Sequence, residues 1–192
     1  MPPGMPGGPP GDGGHLAPWL EEHLFRQRIV MLSGPLTGSA ATRTAAALLT
    51  LDALGTEPVR LHMSTSDGDL TAAFAVVDAL DSMRAPVHAV VTAQVGGAGV
   101  ALLVAAGRRL AFRHASLRLC EPPAAPVSGT ADEVAAAAGK YLRELEELAE
   151  RVAAVTGQPR SRVEDDLSSG RVLTAQEARD YGLVDEVIGG QG

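Results

Sequence analysis

Aromatic rings are nearly missing from this sequence: Trp, Tyr and Phe together make up 3% of its 192 residues. That excludes a core built around bulky rings. The abundant Ala, Val and Leu must instead pack at close helix and strand spacings, which favours a layered α/β architecture. Cysteine occurs once, as Cys120, so no internal disulfide can form and nothing calls for an oxidising compartment. Basic clusters are lacking too. With a net charge of −7 and nothing to neutralise a phosphate backbone, nucleic acid is not an expected partner. No apolar run approaches the roughly 18 residues of a membrane span, and the first residues show neither the basic start nor the apolar stretch of a secretory signal. Cytoplasm is the expected compartment. The length suits one domain burying about 70% of the surface its unfolded chain exposes.

Residues 1–15 are dominated by Gly and Pro, which bury too little apolar surface to offset the entropy of ordering. They are expected to be a disordered leader, followed by a single domain over residues 16–189. Trp19, Leu20, His23 and Leu24 recur at helical spacing with Glu21 and Glu22 opposite, which predicts a short amphipathic helix over 16–24 that packs on a partner surface. Strand, turn and helix then repeat three times. Strands are expected at 29–32, 59–63 and 87–92, and helices at 39–54, 70–83 and 100–106, with a polar turn at 64–68 and a Gly-rich turn at Gly96 and Gly97. Two further strands are expected at 109–112 and 117–120.

After Gly129, Thr130 and Glu133 form a capping box. Val134, Ala138, Tyr141, Leu145, Leu148, Val152 and Val155 then recur at steps of four and three, an apolar seam on a helix about seven turns long. A small domain rarely needs so long a seam for its own core, so part of it is expected to face another subunit. Gly157 ends this helix, placed at about 130–156. A second capping box, Thr174 with Glu177, opens a short helix to Tyr181, and a last strand is expected over 184–188.

Read in order, five segments resemble the Clp protease proteolytic subunit, ClpP. Gln27-Arg28-Ile29-Val30 with Gly34-Pro35-Leu36 is similar to the family's opening strand and turn. Leu102-Leu103-Val104-Ala105-Ala106-Gly107-Arg108-Arg109 is similar to the segment following its nucleophile. Gly129-Thr130-Ala131-Asp132 and Thr156-Gly157-Gln158-Pro159 resemble the two ends of its long handle helix. Ala175-Gln176-Glu177-Ala178 with Tyr181-Gly182-Leu183-Val184-Asp185 resembles its carboxy-terminal signature. The resemblance implies an α/β fold, the ClpP/crotonase-like spiral of strand-strand-helix units with a long handle helix. It also implies seven-membered rings stacked face to face around a chamber, with self or active sibling subunits as partners and an AAA+ unfoldase docking on the ring.

The family's Ser-His-Asp chemistry needs a hydroxyl to attack, an imidazole to take its proton and a carboxylate to orient the imidazole. By the resemblance these positions are Gly97, Cys120 and Gly170, so none of the three groups is supplied. Asp165 and Asp166 remain alternatives for the third member. The oxyanion-hole amides map to Gly68 and Ala98, where any residue's N–H can serve, although a carboxylate at Asp67 would repel a developing oxyanion. Arg60 and His62 fall where the family lines its unfoldase pocket with an aromatic ring, which works against direct docking. Cys120 as a displaced nucleophile lacks a cationic neighbour, since Glu121 adjoins it, and His114 reads as structural. The five histidines show no ligand spacing, so neither metal nor cofactor is expected.

The expected function is a catalytically inactive ClpP-like subunit, structural or regulatory, in a ring-shaped and mixed proteolytic barrel. The alternatives are an inert self-assembled scaffold and a crotonase-like acyl-CoA-binding enzyme. The second would need a carboxylate facing the thioester, and the turn after Gly97 provides none.

Overall fold

The computed structural model describes residues 16–189. The leader expected over residues 1–15 lies outside them. Helix α1 (Pro18–Arg26) leads into β1 (Ile29–Ser33), α2 (Gly38–Leu54), β2 (Val59–Thr65), α3 (Leu70–Ser82), β3 (Val87–Gly96), α4 (Gly99–Ala105) and β4 (Arg108–Phe112). Then come β5 (Ser116–Leu119), α5 (Ala131–Thr156), α6 (Arg160–Ser169), β6 (Arg171–Thr174), α7 (Ala175–Tyr181) and β7 (Glu186–Ile188).

Strands β1, β2, β3, β4 and β7 lie side by side in that order, every pair parallel. Parallel neighbours need a crossover, and α2 and α3 provide it between the first three strands, as α4 does between β3 and β4. Polar caps start these helices where the sequence offers them: Thr37 Oγ1 accepts from the Ala40 N–H at 3.2 Å, and Asp69 Oδ1 from Ala72 at 2.8 Å. The capping boxes at Thr130 and Thr174 both form, and Gly157 and Gly182 take left-handed caps.

Strand β3 runs to ten residues, four beyond the expected end, because it serves two neighbours. His88 to Val91 pair with β4, while Gln94 to Gly96 pair with β5. The sheet therefore splits along β3, and β5 is carried away from β4 to stand beside the end of β3, where it also pairs antiparallel with β6.

One hydrophobic core spans Val30 to Val184, with Leu36, Leu48, Leu61, Met63, Leu102 and Leu117 among its fully covered side chains. Each such aliphatic burial contributes about 1.5–3 kcal/mol. Helix α5 is fully buried against this core at Leu148, Ala149 and Val152, with Tyr141 and Leu145 packed partly buried before them. Its first half carries Val134 and Leu142 exposed, at 42% and 62%.

The structure departs from the sequence reading at three places. The segment after the handle, for which the sequence predicts no element, is helix α6, anchored by Val163 and Leu167 four residues apart. Strand β6 was not anticipated. It is four residues long and half exposed, and it exists because β5 offers it a partner edge. The first helix also begins later and ends later than 16–24, at Pro18–Arg26.

Candidate functional site

The split at β3 determines what meets at the end of the sheet. Gly97 follows β3, Cys120 follows β5, and the pairing of Gly96 with Arg118 puts the two strand ends side by side. A Cβ built on Gly97 would lie 3.8 Å from Cys120 Sγ, 3.8 Å from Pro122 Cα and 3.9 Å from the Ser66 carbonyl oxygen, which is ordinary van der Waals contact. Gly97 has φ +52, a left-handed conformation that side chains other than glycine adopt at a cost. Cys120 is half-buried with a free thiol.

Gly170 is the left-handed cap of α6, and its nearest neighbour is Arg118. A Cβ there would stand 3.1 Å from Arg118 Nη2, so a guanidinium lies over the position. Neither alternative carboxylate is among the atoms nearest Gly170, all of which belong to Arg118. Asp166 accepts a 2.8 Å bond from the Tyr181 hydroxyl and one of 3.1 Å from Arg171 Nη1, while Asp165 is exposed on α6. Burial, and then the bond to Asp166, raises the Tyr181 phenol above its ordinary value, and Arg162 and Arg171 each lie 5.5 Å from its ring centre. That cluster ties α6, β6 and α7 together.

The turn before α3 is held from several sides. Leu36 N–H donates to the Asp67 carbonyl and Asp69 N–H to the Leu36 carbonyl, both at 3.0 Å, while the Thr65 hydroxyl donates to the Asp67 carbonyl at 3.1 Å. Gly68 lies so close to Leu36 that a Cβ would come within 2.5 Å of the leucine Cβ, so only glycine fits. The Gly68 N–H donates to Asp67 Oδ1 at 2.7 Å. This amide is therefore already bonded to a carboxylate, a stronger effect than the repulsion expected at Asp67. Ala98 is fully buried at the start of α4.

The structure brings Gly97 and Cys120 together and sets Gly170 beside Arg118. His114 does not join them, being exposed in the turn before β5, at the opposite end of that strand from Cys120. Arg60 and His62 sit on one face of β2, where burial, and behind it the Arg60 charge, pushes the His62 imidazole below its ordinary value. Three participants escaped the sequence reading: Arg118, the Ser66 carbonyl, and Tyr141, whose hydroxyl donates to the Pro122 carbonyl at 2.7 Å. Arg118 becomes visible only once β5 is paired with the end of β3.

A parallel-dominated sheet crossed over by helices, with a long projecting helix after it, defines a member of the ClpP/crotonase-like α/β class. A family model described as Clp protease matches residues 16–191, and the chain belongs to that family. It is a family of oligomeric rings that work with AAA+ partners. Among the described residues, no helix is long and apolar enough to cross a membrane.

Proposed function

We propose that this chain is a non-catalytic ClpP-like subunit that enters a mixed ring-shaped barrel with an active sibling, contributing handle contacts and chamber wall. The observation carrying this reading is the contact between Gly97 and Cys120. Where nucleophile and base would face each other stand a residue with no side chain and a thiol followed by Glu121. The guanidinium over Gly170 and the Asp67 carboxylate on the Gly68 N–H support the same reading, because each fills a place the chemistry needs otherwise. Loss of nucleophile or base alone removes on the order of 10⁶ in rate from a triad peptidase. The half-free helix α5, with Leu142 and Val134 uncovered, supports a role in assembly. An AAA+ unfoldase would then act on the barrel through its active siblings, with cytoplasm as its compartment.

The test is co-expression of the tagged chain with an active ClpP from the same host, followed by native mass spectrometry of the purified complex. Barrels containing both chains are expected. Recovery of two separate homo-oligomers under every condition would overturn the mixed-ring reading.

A further inference from the structure

Arg118 is exposed on β5 and has no counter-charge: among the described residues, no carboxylate lies within ion-pairing distance of its guanidinium. Asp166, four residues before Gly170, is committed to Arg171 and to the Tyr181 hydroxyl. An unpaired arginine ordinarily extends into water, but this one is folded back over the strand ends. A Cβ on Gly170 would stand 3.1 Å from its Nη2 and 3.5 Å from its Nε, and one on Gly96 would stand 3.2 Å from its Cβ. Because both neighbours are glycine, no side chain of theirs covers the guanidinium.

What surrounds this charge is small, apolar and open. Strand register sets Val172 opposite Arg118, and Val172 is 63% exposed. Cys120, two residues beyond Arg118, shares its face of β5 and is half-buried beside Gly97. Strand β6 pairs with β5 alone among the described residues. Its other edge therefore carries backbone groups that an extended chain can bond.

We propose that Arg118 makes the Gly97, Cys120 and Gly170 site a receptor for peptide carboxylates, holding the carboxylate of a short extended peptide whose neighbouring side chain lies against Val172. A guanidinium presents parallel N–H donors that match the two oxygens of a carboxylate, and an amide end offers no such pair. The open edge of β6 suits a peptide better than a bare anion. The inference takes its place from the positions matching the triad, but its failure would leave the mixed-barrel reading untouched, since that is read by native mass and this by peptide binding.

The experiment is fluorescence anisotropy of the full chain with labelled short peptides of one uncharged sequence, one ending in a free carboxylate and one amidated. The free acid is expected to bind about fivefold more tightly than the amide. Arg118→Gln, an exposed substitution, is expected to make the two bind equally, with the thermal melt unchanged. A third peptide, amidated but with glutamate as its last residue, separates the sources of the carboxylate. Binding as tight as the free acid assigns side-chain carboxylates, binding as weak as the amide assigns the chain terminus, and both support a carboxylate site. Equal binding of acid and amide by wild type, binding of neither, or an acid preference that persists in Arg118→Gln would overturn the proposal.

Discussion

A side chain placed on Gly97 would touch the thiol of Cys120, the two positions being separated by 3.8 Å. The contact leaves room for a hydroxyl, but φ +52 opposes any L residue by about 1–2 kcal/mol. Gly97→Ser is therefore expected to fold with a melting temperature lowered by about 2–8 °C, and to remain without turnover because the facing group is no base. Gly97→Ser combined with Cys120→His and Gly170→Asp is expected to give measurable hydrolysis of a fluorogenic peptide. Asp is tolerated at the left-handed Gly170 position better than most residues, and Arg118 stands ready to pair with it.

Turnover in that triple variant depends in turn on the amide that Asp67 occupies. Asp67→Ala removes the acceptor of the Gly68 N–H and leaves the backbone bonds of the turn in place. Added to the triple variant, it is expected to raise kcat by about 10²-fold with little change in KM, the signature of a restored oxyanion donor. An unchanged kcat would mean that the carboxylate leaves the amide when substrate arrives.

The handle divides into a part that stabilises the fold and a part that does not. Leu148 is fully buried, and Leu148→Ala should cost about 2–5 kcal/mol in urea unfolding. Leu142 is 62% exposed, and Leu142→Asp should leave the unfolding midpoint within about 0.5 kcal/mol of wild type while lowering the native mass of the assembled complex.

Asp185 makes one contribution to stability depend on pH. Burial alone raises its carboxyl, but bonds from the Arg109 side chain and from the Arg109 N–H at 2.7 Å outweigh this and hold it below the ordinary carboxylate value. A depressed native value means that the ionised form favours folding. The contribution is fully present above the unfolded carboxylate range and is lost as pH falls through the lowered value. Wild type should be more stable than Asp185→Asn at pH 7, with the gap closing in acid, as followed by urea midpoints across a pH series.

The legible parts of the fold were those written in local chemistry. Both capping boxes, the glycine caps and the short strands at Ile29 and Val59 follow from residues within a few positions of each other. Helix α6 was missed because eight of its ten residues, in Arg160–Ser169, carry no apolar anchor, and Val163 with Leu167 makes too short a stripe to register. Strand β6 and the extension of β3 depend on partners distant in sequence, which no local pattern reports.

At the site, the resemblance named Gly97 and Cys120, and the split of the sheet explains why they meet. Nothing local told of the Arg118 guanidinium over Gly170, which follows from how β5 stands beside the end of β3, whereas Asp67 stood out in the sequence and the structure adds its bond to the adjacent Gly68 N–H.

The most direct test of an emptied site is peptidase activity on a fluorogenic peptide, measured with native mass, for the chain alone and mixed with an active ClpP of the same host. The expected result is no turnover by the isolated chain and its entry into an active mixed barrel. Turnover by the isolated chain that disappears in Cys120→Ala would contradict the account, because Cys120 would then belong to a rebuilt active site.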